Sequence, residues 1–455
     1  MIQRENDGVR WLLQPDFAPF LDALLKSPGQ MVKESAVKQV TMHQVGEKTY
    51  YIKRYLHHAV PLRSWKFYFK TTQARQEWDL ALQLEAREIP IVRHVALGER
   101  RTWSGAQESI LITEGFDGAQ LDETEGVEPA CVKAFIERMH AEGVLQMDLH
   151  PANLLVGRAT KELRLVDLHG TVVRGRLKPA EREVNLAILR GYVPIDVPER
   201  VQKLSVQLRR RRIWERSGRC LRNNQDFRSD IFGSLEWQYR TPLTDPEARK
   251  IFADPDGFLR DRAKPLKRGR SATVGAGGGF VLKRYNLRRL SRLVKDLFRS
   301  SPGHASFRKA YHLELLHIPT ARPVAAAEKR VLFFLLKSYF LMEEIPGAVS
   351  LEARLRDGPH PEQRLIESIG HLLGRLHGEG FSHRDLKSSN IILDSSEWPR
   401  LIDLDGLRFI GEVPLARAKT DLERIARSVA TQSGIGRLQR ITFLRAYLRS
   451  RNKMC

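Results

Sequence analysis

Two sets of residues able to move a phosphoryl group stand in the same order along this 455-residue chain. The first is Lys53, Glu114, Asp148 with Asn153, and Asp167; the second is Lys283, Glu343, Asp385 with Asn390, and Asp403. In each set the aspartate and asparagine form an Asp-Leu-x-x-x-Asn run, and a last aspartate follows at nearly the same spacing in both. Phosphoryl transfer from ATP needs this combination. A lysine neutralises the α- and β-phosphates, an asparagine and an aspartate offer hard oxygen ligands to Mg2+, and another aspartate takes the proton of the attacking hydroxyl. On that logic Asp148 and Asp385 are candidate catalytic residues, and Asn153, Asp167, Asn390 and Asp403 are candidate metal ligands. Lys53 and Lys283 would hold the nucleotide. Glu114 and Glu343, each followed four residues on by Gly118 or Gly347, mark an acidic hinge segment counted with the nucleotide site. A lone strand lysine is more often a solvated edge residue. The ordered set, found twice, is the signal.

The elements that must position these groups repeat as well. HAEGVLQMDLHPAN (140–153) aligns with HGEGFSHRDLKSSN (377–390) at an offset of 237 without a gap. YIKRY (51–55) matches VLKRY (281–285), EIPIVRHVA (88–96) matches HIPTARPVA (317–325), and TEGFDGAQL (113–121) matches EEIPGAVSL (343–351). LVDLHG (165–170) matches LIDLDG (401–406). Self-similarity in this order means two homologous domains, expected at 1–218 and 219–455. YYIKRY and FVLKRY read as strands after turn signals at 45–48 and 275–279. RLIESIGHLLGRL (364–376) puts Leu365, Ile369, Leu372 or Leu373, and Leu376 on one helical stripe, with its counterpart at roughly 127–140. Both helices should stop at His-x-Glu-Gly. The expected fold class is therefore α+β: two tandem bilobed domains, each a strand-rich N-lobe and a shortened helical C-lobe. His140 and His377, just before the loops, are expected to brace them. GAGGG (275–279) lies four to eight residues before Lys283 and reads as a hairpin turn. A phosphate cradle belongs further upstream, near Gly269-Arg270-Ser271.

HRDLKSSN…LIDLDG resembles the catalytic and metal-binding loops of the protein-kinase-like superfamily, and MDLHPANLL…LVDLHG those of its small-molecule branch. The resemblance implies a helix glutamate paired with the strand lysine. Glu77, in ARQEW (74–78) downstream of Lys53, fits that role; the equivalent place in the second half holds Ser306. The nearest acid there, Glu314, lies two helical turns on and is expected to point elsewhere. The second half has an Arg384-Asp385 pair where the first has Met147-Asp148, yet lacks the glutamate, so it could be impaired or regulatory. Neither half carries an APE-type anchor, and only the segment 404–455 follows Asp403, which leads to the expectation of a trimmed helical lobe and a non-peptide acceptor.

VLKRYN (281–286), ARQEW (74–78), HIPTARPVA and RITFLRAYL (440–448) make each half similar to the lipopolysaccharide core kinase family. That resemblance implies ATP, Mg2+ and, as acceptor, a Kdo or heptose hydroxyl on a lipid-anchored glycan at the inner leaflet. A doubled domain is a departure from the pattern. So is Lys387, two residues after Asp385, which many Ser/Thr protein kinases carry; His150 takes that place in the first half, as in sugar and aminoglycoside kinases. Two rivals therefore stand beside the glycolipid kinase: an atypical, RIO-like protein kinase, and a scaffold or sensor in which one half binds nucleotide without transfer.

The composition fits such a partner. The formal charge is +22, and residues 201–300 alone hold 25 Lys/Arg against 10 Asp/Glu. Such a surplus brings an anionic partner into consideration, beside a merely basic, solvated face; charge alone does not choose between them. Basic amphipathic segments at 61–70 and 287–299 would suit an anionic membrane surface, or equally would pack on the N-lobe and show a solvated charged face. The run LRRRRIWERSGR (208–219) has a single aromatic, Trp214, and reads as a helix end and linker, so no nucleic acid is expected. Three cysteines make no disulfide framework, the N-terminus has no signal-peptide pattern, and no apolar stretch is long enough to span a bilayer. The expected place is the cytoplasm, with a peripheral position on the inner face of the inner membrane as an option.

Overall fold

The computed structural model describes residues 1–35, 37–57, 70–103, 105–286, 300–332, 334–357, 361–430 and 436–452. Nearly all of the two amphipathic segments at 61–70 and 287–299 lies outside the described residues. Among the described residues, no helix is long and apolar enough to cross a membrane. The chain forms two compact units, Met1–Ser205 and Val206–Cys455. Their division falls inside the helix Glu199–Ser217, upstream of the expected join at 218/219. The reason lies in the second half of that helix. Arg209 donates to Glu379 at 2.6 Å, the buried Arg210 donates to the carbonyls of Gly378 and Gly411, and the Arg308 guanidinium stacks 3.8 Å from the Trp214 ring.

Each unit carries a seven-stranded antiparallel sheet. In the first the strand order is Ile2–Asn6, Val9–Leu13, His94–Thr102, Gly105–Glu114, Lys48–Leu56, Lys38–Val45, Gly29–Ser35. In the second it is Phe227–Phe232, Leu235–Arg240, Pro323–Val331, Phe334–Glu343, Phe280–Tyr285, Ala272–Gly277, Lys264–Arg268, the same arrangement. Register is also kept: Lys53 lies opposite Leu111 and Val40, and Lys283 opposite Phe340 and Val274. A period of two along the strand sends Ile52 into one core with Trp11, Leu13, Leu24 and Ile112. Tyr55 turns to the other face, against Ala74 and Trp78 of the helix Gln73–Glu85. Thr72 starts that helix, its hydroxyl accepting from the Arg75 N–H. The matching helix, Pro302–Leu315, begins at Ser301 with a proline in its first turn.

GAGGG is a hairpin turn, as the sequence predicts. Gly277 pairs with Phe280, and Gly278 and Gly279 between them both take positive φ, which a two-residue turn of this hand requires. Gly269-Arg270-Ser271 forms the turn between the two strands upstream.

The helical lobes follow. Pro129–Ala141 and Gln363–Gly378 lead into the loops, and Gly143 and Gly380 lie just past their ends at φ 73° and 87°. After the last aspartate of each set come two α-helices among the described residues: Pro179–Arg190 and Glu199–Ser217, the latter running on into the second unit, and Leu415–Ala430 with Arg437–Asn452. In the second unit Gln363–Gly378 and Arg437–Asn452 touch backbone to backbone. A Cβ on Gly370 would lie 2.7 Å from the Phe443 carbonyl oxygen, and one on Gly374 closer still to that of Tyr447.

Under the second sheet, His312 sits fully buried among Trp214, Phe381 and Phe409, with neither ring nitrogen hydrogen-bonded. Burial, reinforced by the neighbouring Arg308 charge, pushes its imidazole down to about 3. The unfolded chain therefore binds a proton near pH 6.5 that the folded unit refuses, so stability falls as pH drops below that value. Thermal unfolding at pH 5 should show the second unit losing about 2 kcal/mol relative to pH 6.5 from this residue. His312→Phe should remove that part of the slope; an unchanged slope would count against the buried neutral imidazole.

Candidate active site

In the first unit the strand places Lys53 and Tyr55 on the helix face of the sheet, where both meet Glu77. Lys53 Nζ donates to Glu77 Oε1 at 2.7 Å, Tyr55 OH donates to Oε2 at 3.1 Å, and His94 Nε2 lies 3.7 Å from Oε1. All four side chains are buried. Burial alone would raise the Glu77 carboxyl, but the Lys53 charge overrides it and holds the group well below the ordinary carboxylate range. The same pair keeps Lys53 protonated: burial pulls its ammonium down and Glu77 lifts it above its usual value.

The short strand Val144–Gln146 delivers Asp148 to an exposed position. Gln146 Oε1 accepts from the Asp148 N–H at 3.1 Å, and Asn153 Nδ2 donates to the Asp148 carbonyl at 2.9 Å, so the loop closes on itself. Asp167 stands across from it at φ 56°, a left-handed backbone that few non-glycine residues adopt and that clusters at functional sites. Its Oδ2 lies 4.0 Å from Lys38 Nζ, and its Oδ1 is buried without a hydrogen-bond partner. A cleft of about 880 Å3 runs past Glu77, Lys38 and Asp167–Val173. His140 braces the loop through Asn185, which donates to the Gln146 carbonyl at 2.6 Å.

The second unit builds the same loop with other residues. Asn390 Nδ2 donates to the Asp385 carbonyl at 2.8 Å, and Asp403 repeats the left-handed backbone at φ 54°. His383 takes the place of Gln146: its Nδ1 accepts from the Asp385 N–H at 3.2 Å and its Nε2 meets the Asp403 carbonyl at 3.1 Å. The brace is Asp421, fully buried, which accepts from the Ser382 hydroxyl and the His383 N–H at 2.6 and 2.9 Å; His377 Nε2 lies 3.6 Å away. Lys387 Nζ reaches the exposed Asp385 carboxylate at 3.0 Å. Glu314 does point away, to Arg240 at 2.7 Å.

The lysine pairing differs. Lys283 Nζ donates to Asp403 Oδ1 at 2.7 Å and to Asp405 Oδ2 at 2.8 Å. Ser306 and Tyr285 both donate to Asp405 Oδ1, at 3.1 and 2.9 Å. Burial would raise the Asp403 carboxyl; the Lys283 charge holds it below the usual value.

The hinge glutamates end their strands, with side chains already engaged. Glu114 is paired with Lys48 at 2.8 Å and Arg93 at 3.4 Å, and Glu343 with Arg322 at 2.9 Å. The residues that could hold a divalent cation are one aspartate and one asparagine per unit, and the partnerless buried oxygen of Asp167 suits a hard cation. Sequence reasoning missed three residues: Asp405, Asn185 and Asp421. Asn185 stands to Asp421 at the same offset along the chain as Asp167 does to Asp403, and that coincidence was a usable signal.

A family model described as the lipopolysaccharide kinase (Kdo/WaaP) family matches residues 22–209 and again 265–447. Among curated relatives, a 3-deoxy-D-manno-octulosonic acid kinase of Vibrio parahaemolyticus serotype O3:K6 (strain RIMD 2210633) is 34% identical over 146 residues, 30% of this chain. The match spans 58% of that relative's length. The enzyme of the same name from Xylella fastidiosa (strain M12) is 29% identical over 182 residues, 37% of this chain and 70% of its own. Among solved structures, WaaP in complex with acyl carrier protein aligns with 45% of this chain and 87% of its own, at 21% identity and a TM-score of 0.35.

Proposed function

Because the chain belongs to the lipopolysaccharide kinase (Kdo/WaaP) family, we propose that it transfers the γ-phosphoryl group of ATP to a hydroxyl of a Kdo or heptose in a lipopolysaccharide inner core. The observation that carries this reading is the double family match, each stretch of which encloses one lysine–carboxylate pair and one aspartate–asparagine loop. Two protein-kinase-like domains would then work within one chain.

In the reaction, the acceptor oxygen attacks the γ-phosphorus, the bond to the β,γ-bridging oxygen breaks, and ADP departs. Asp148 or Asp385, exposed and held by its loop, orients the acceptor hydroxyl and takes its proton. Lys53 or Lys283 holds the phosphates, fixed in place by its carboxylate partners. Asn153 with Asp167, and Asn390 with Asp403, would hold Mg2+, which when bound offsets phosphate charge. The basic surplus suits the anionic surface on which such an acceptor sits. The test is transfer of γ-32P from ATP to purified core-truncated lipopolysaccharide, with label expected on the glycolipid. Lys387 beside Asp385 favours a second reading, transfer to a protein hydroxyl. Label found on protein and absent from glycolipid would replace the first reading by that one.

A further inference from the structure

The second unit lacks the helix glutamate, yet its strand lysine is not left alone. In the first unit the buried Lys53 and Tyr55 share one carboxylate, Glu77, supplied by the helix Gln73–Glu85. In the second, Lys283 and Tyr285 occupy the same strand positions and again share one carboxylate, but it is Asp405, two residues beyond Asp403. Ser306, at the helix position of the missing glutamate, adds a third hydrogen bond to Asp405. The place equivalent to Asp405 in the first unit is His169, in LVDLHG against LIDLDG. The two units thus carry reciprocal pairs: Glu77 with His169, and Ser306 with Asp405.

We propose that Asp405 is the positioning residue of the second nucleotide site, replacing the helix glutamate as the lasting counter-ion of Lys283. A cation as buried as Lys283 needs a carboxylate within reach. Asp403 cannot be that group throughout, since it is also the candidate metal ligand. Lys283 bonds to both in this structure, and Asp405 can hold it when Asp403 turns to that role; in the first unit, among the described residues, Glu77 alone accepts from Lys53. The absence of glutamate at Ser306 then marks a relocated carboxylate, and the second unit is a nucleotide-binding unit in its own right. This assignment rests on the phosphotransferase reading of the second half.

The experiment measures Mg·ATP affinity by displacement of a fluorescent ATP analogue, in the full chain carrying Lys53→Met to silence the first site. Asp405→His, which installs the first unit's residue, should weaken Mg·ATP at least tenfold. Adding Ser306→Glu to it should restore the affinity to within threefold of the Lys53→Met parent. Asp405→Asn, which keeps the shape and drops the charge, should also lose at least tenfold, and it serves if the histidine variant fails to fold. Affinity within twofold of the parent in Asp405→Asn would overturn the assignment. So would a folded Ser306→Glu/Asp405→His chain, with the parent's thermal midpoint, that binds as weakly as Asp405→His. No acceptor takes part, so the result is separate from the glycolipid assay: unlabelled lipopolysaccharide with the rescue intact removes the acceptor reading alone.

Discussion

With both Asp148 and Asp385 replaced by alanine, phosphoryl transfer to lipopolysaccharide should fall by about 10²–10⁴-fold, the range that a positioned general base contributes. Mg·ATP affinity should hold, because neither carboxylate contacts its strand lysine or belongs to the Asn–Asp donor set. The loops should survive too: the bonds from Asn153 and Asn390 run to the backbone carbonyls of Asp148 and Asp385, which alanine retains. The single variants divide the work between the units. Loss of all label in one single variant assigns transfer to that unit. A partial loss in each means two working sites. Full turnover in the double variant would show that both aspartates are wrongly assigned.

Glu77→Gln should have the second large effect, on stability and on nucleotide binding together. It removes the only negative charge hydrogen-bonded to Lys53 among the described residues and leaves a buried ammonium facing a neutral amide. Breaking one partner of a buried ion pair costs about 3–5 kcal/mol, a loss that should appear as earlier thermal unfolding of the first unit. The same pair sets an acid response. Glu77 is held below its ordinary value of 4.5 in the folded state, so its stabilisation is present above that pH and is lost as pH falls further. Glu77→Gln should flatten this acid limb; an equal limb in both proteins would show that the pair contributes little.

The fold and the layout of the candidate site could be read from spacing because the chain states its motifs twice. Lys53, Asp148, Asn153 and Asp167 recur with their counterparts in fixed order, and the strand period places Lys53 without reference to the rest of the structure. What escaped was whatever depends on chain closure. Ser306 was legible as a missing glutamate, but Asp405 meets Lys283 only because the segment after Asp403 folds back under the sheet. The two lie 122 residues apart. The arginine run at 208–219 shows a similar limit. Composition gives its charge, whereas the burial of Arg210 depends on the carbonyls of two distant glycines, Gly378 and Gly411. Asn185 and Asp421 were hidden for a plainer reason: different residue types brace the two loops, so a search for identical letters passes over them.

The glycine contact between Gln363–Gly378 and Arg437–Asn452 bears on how alike the two repeats can still be. At the offset of 237, Gly370 and Gly374 correspond to Lys133 and Glu137, which form an i,i+4 ion pair on the outside of the Pro129–Ala141 helix. No backbone could approach that face closely without displacing both side chains. The terminal helix of one half therefore has no seat in the other, and a chimera that exchanged them would press carbonyl oxygens against a lysine and a glutamate.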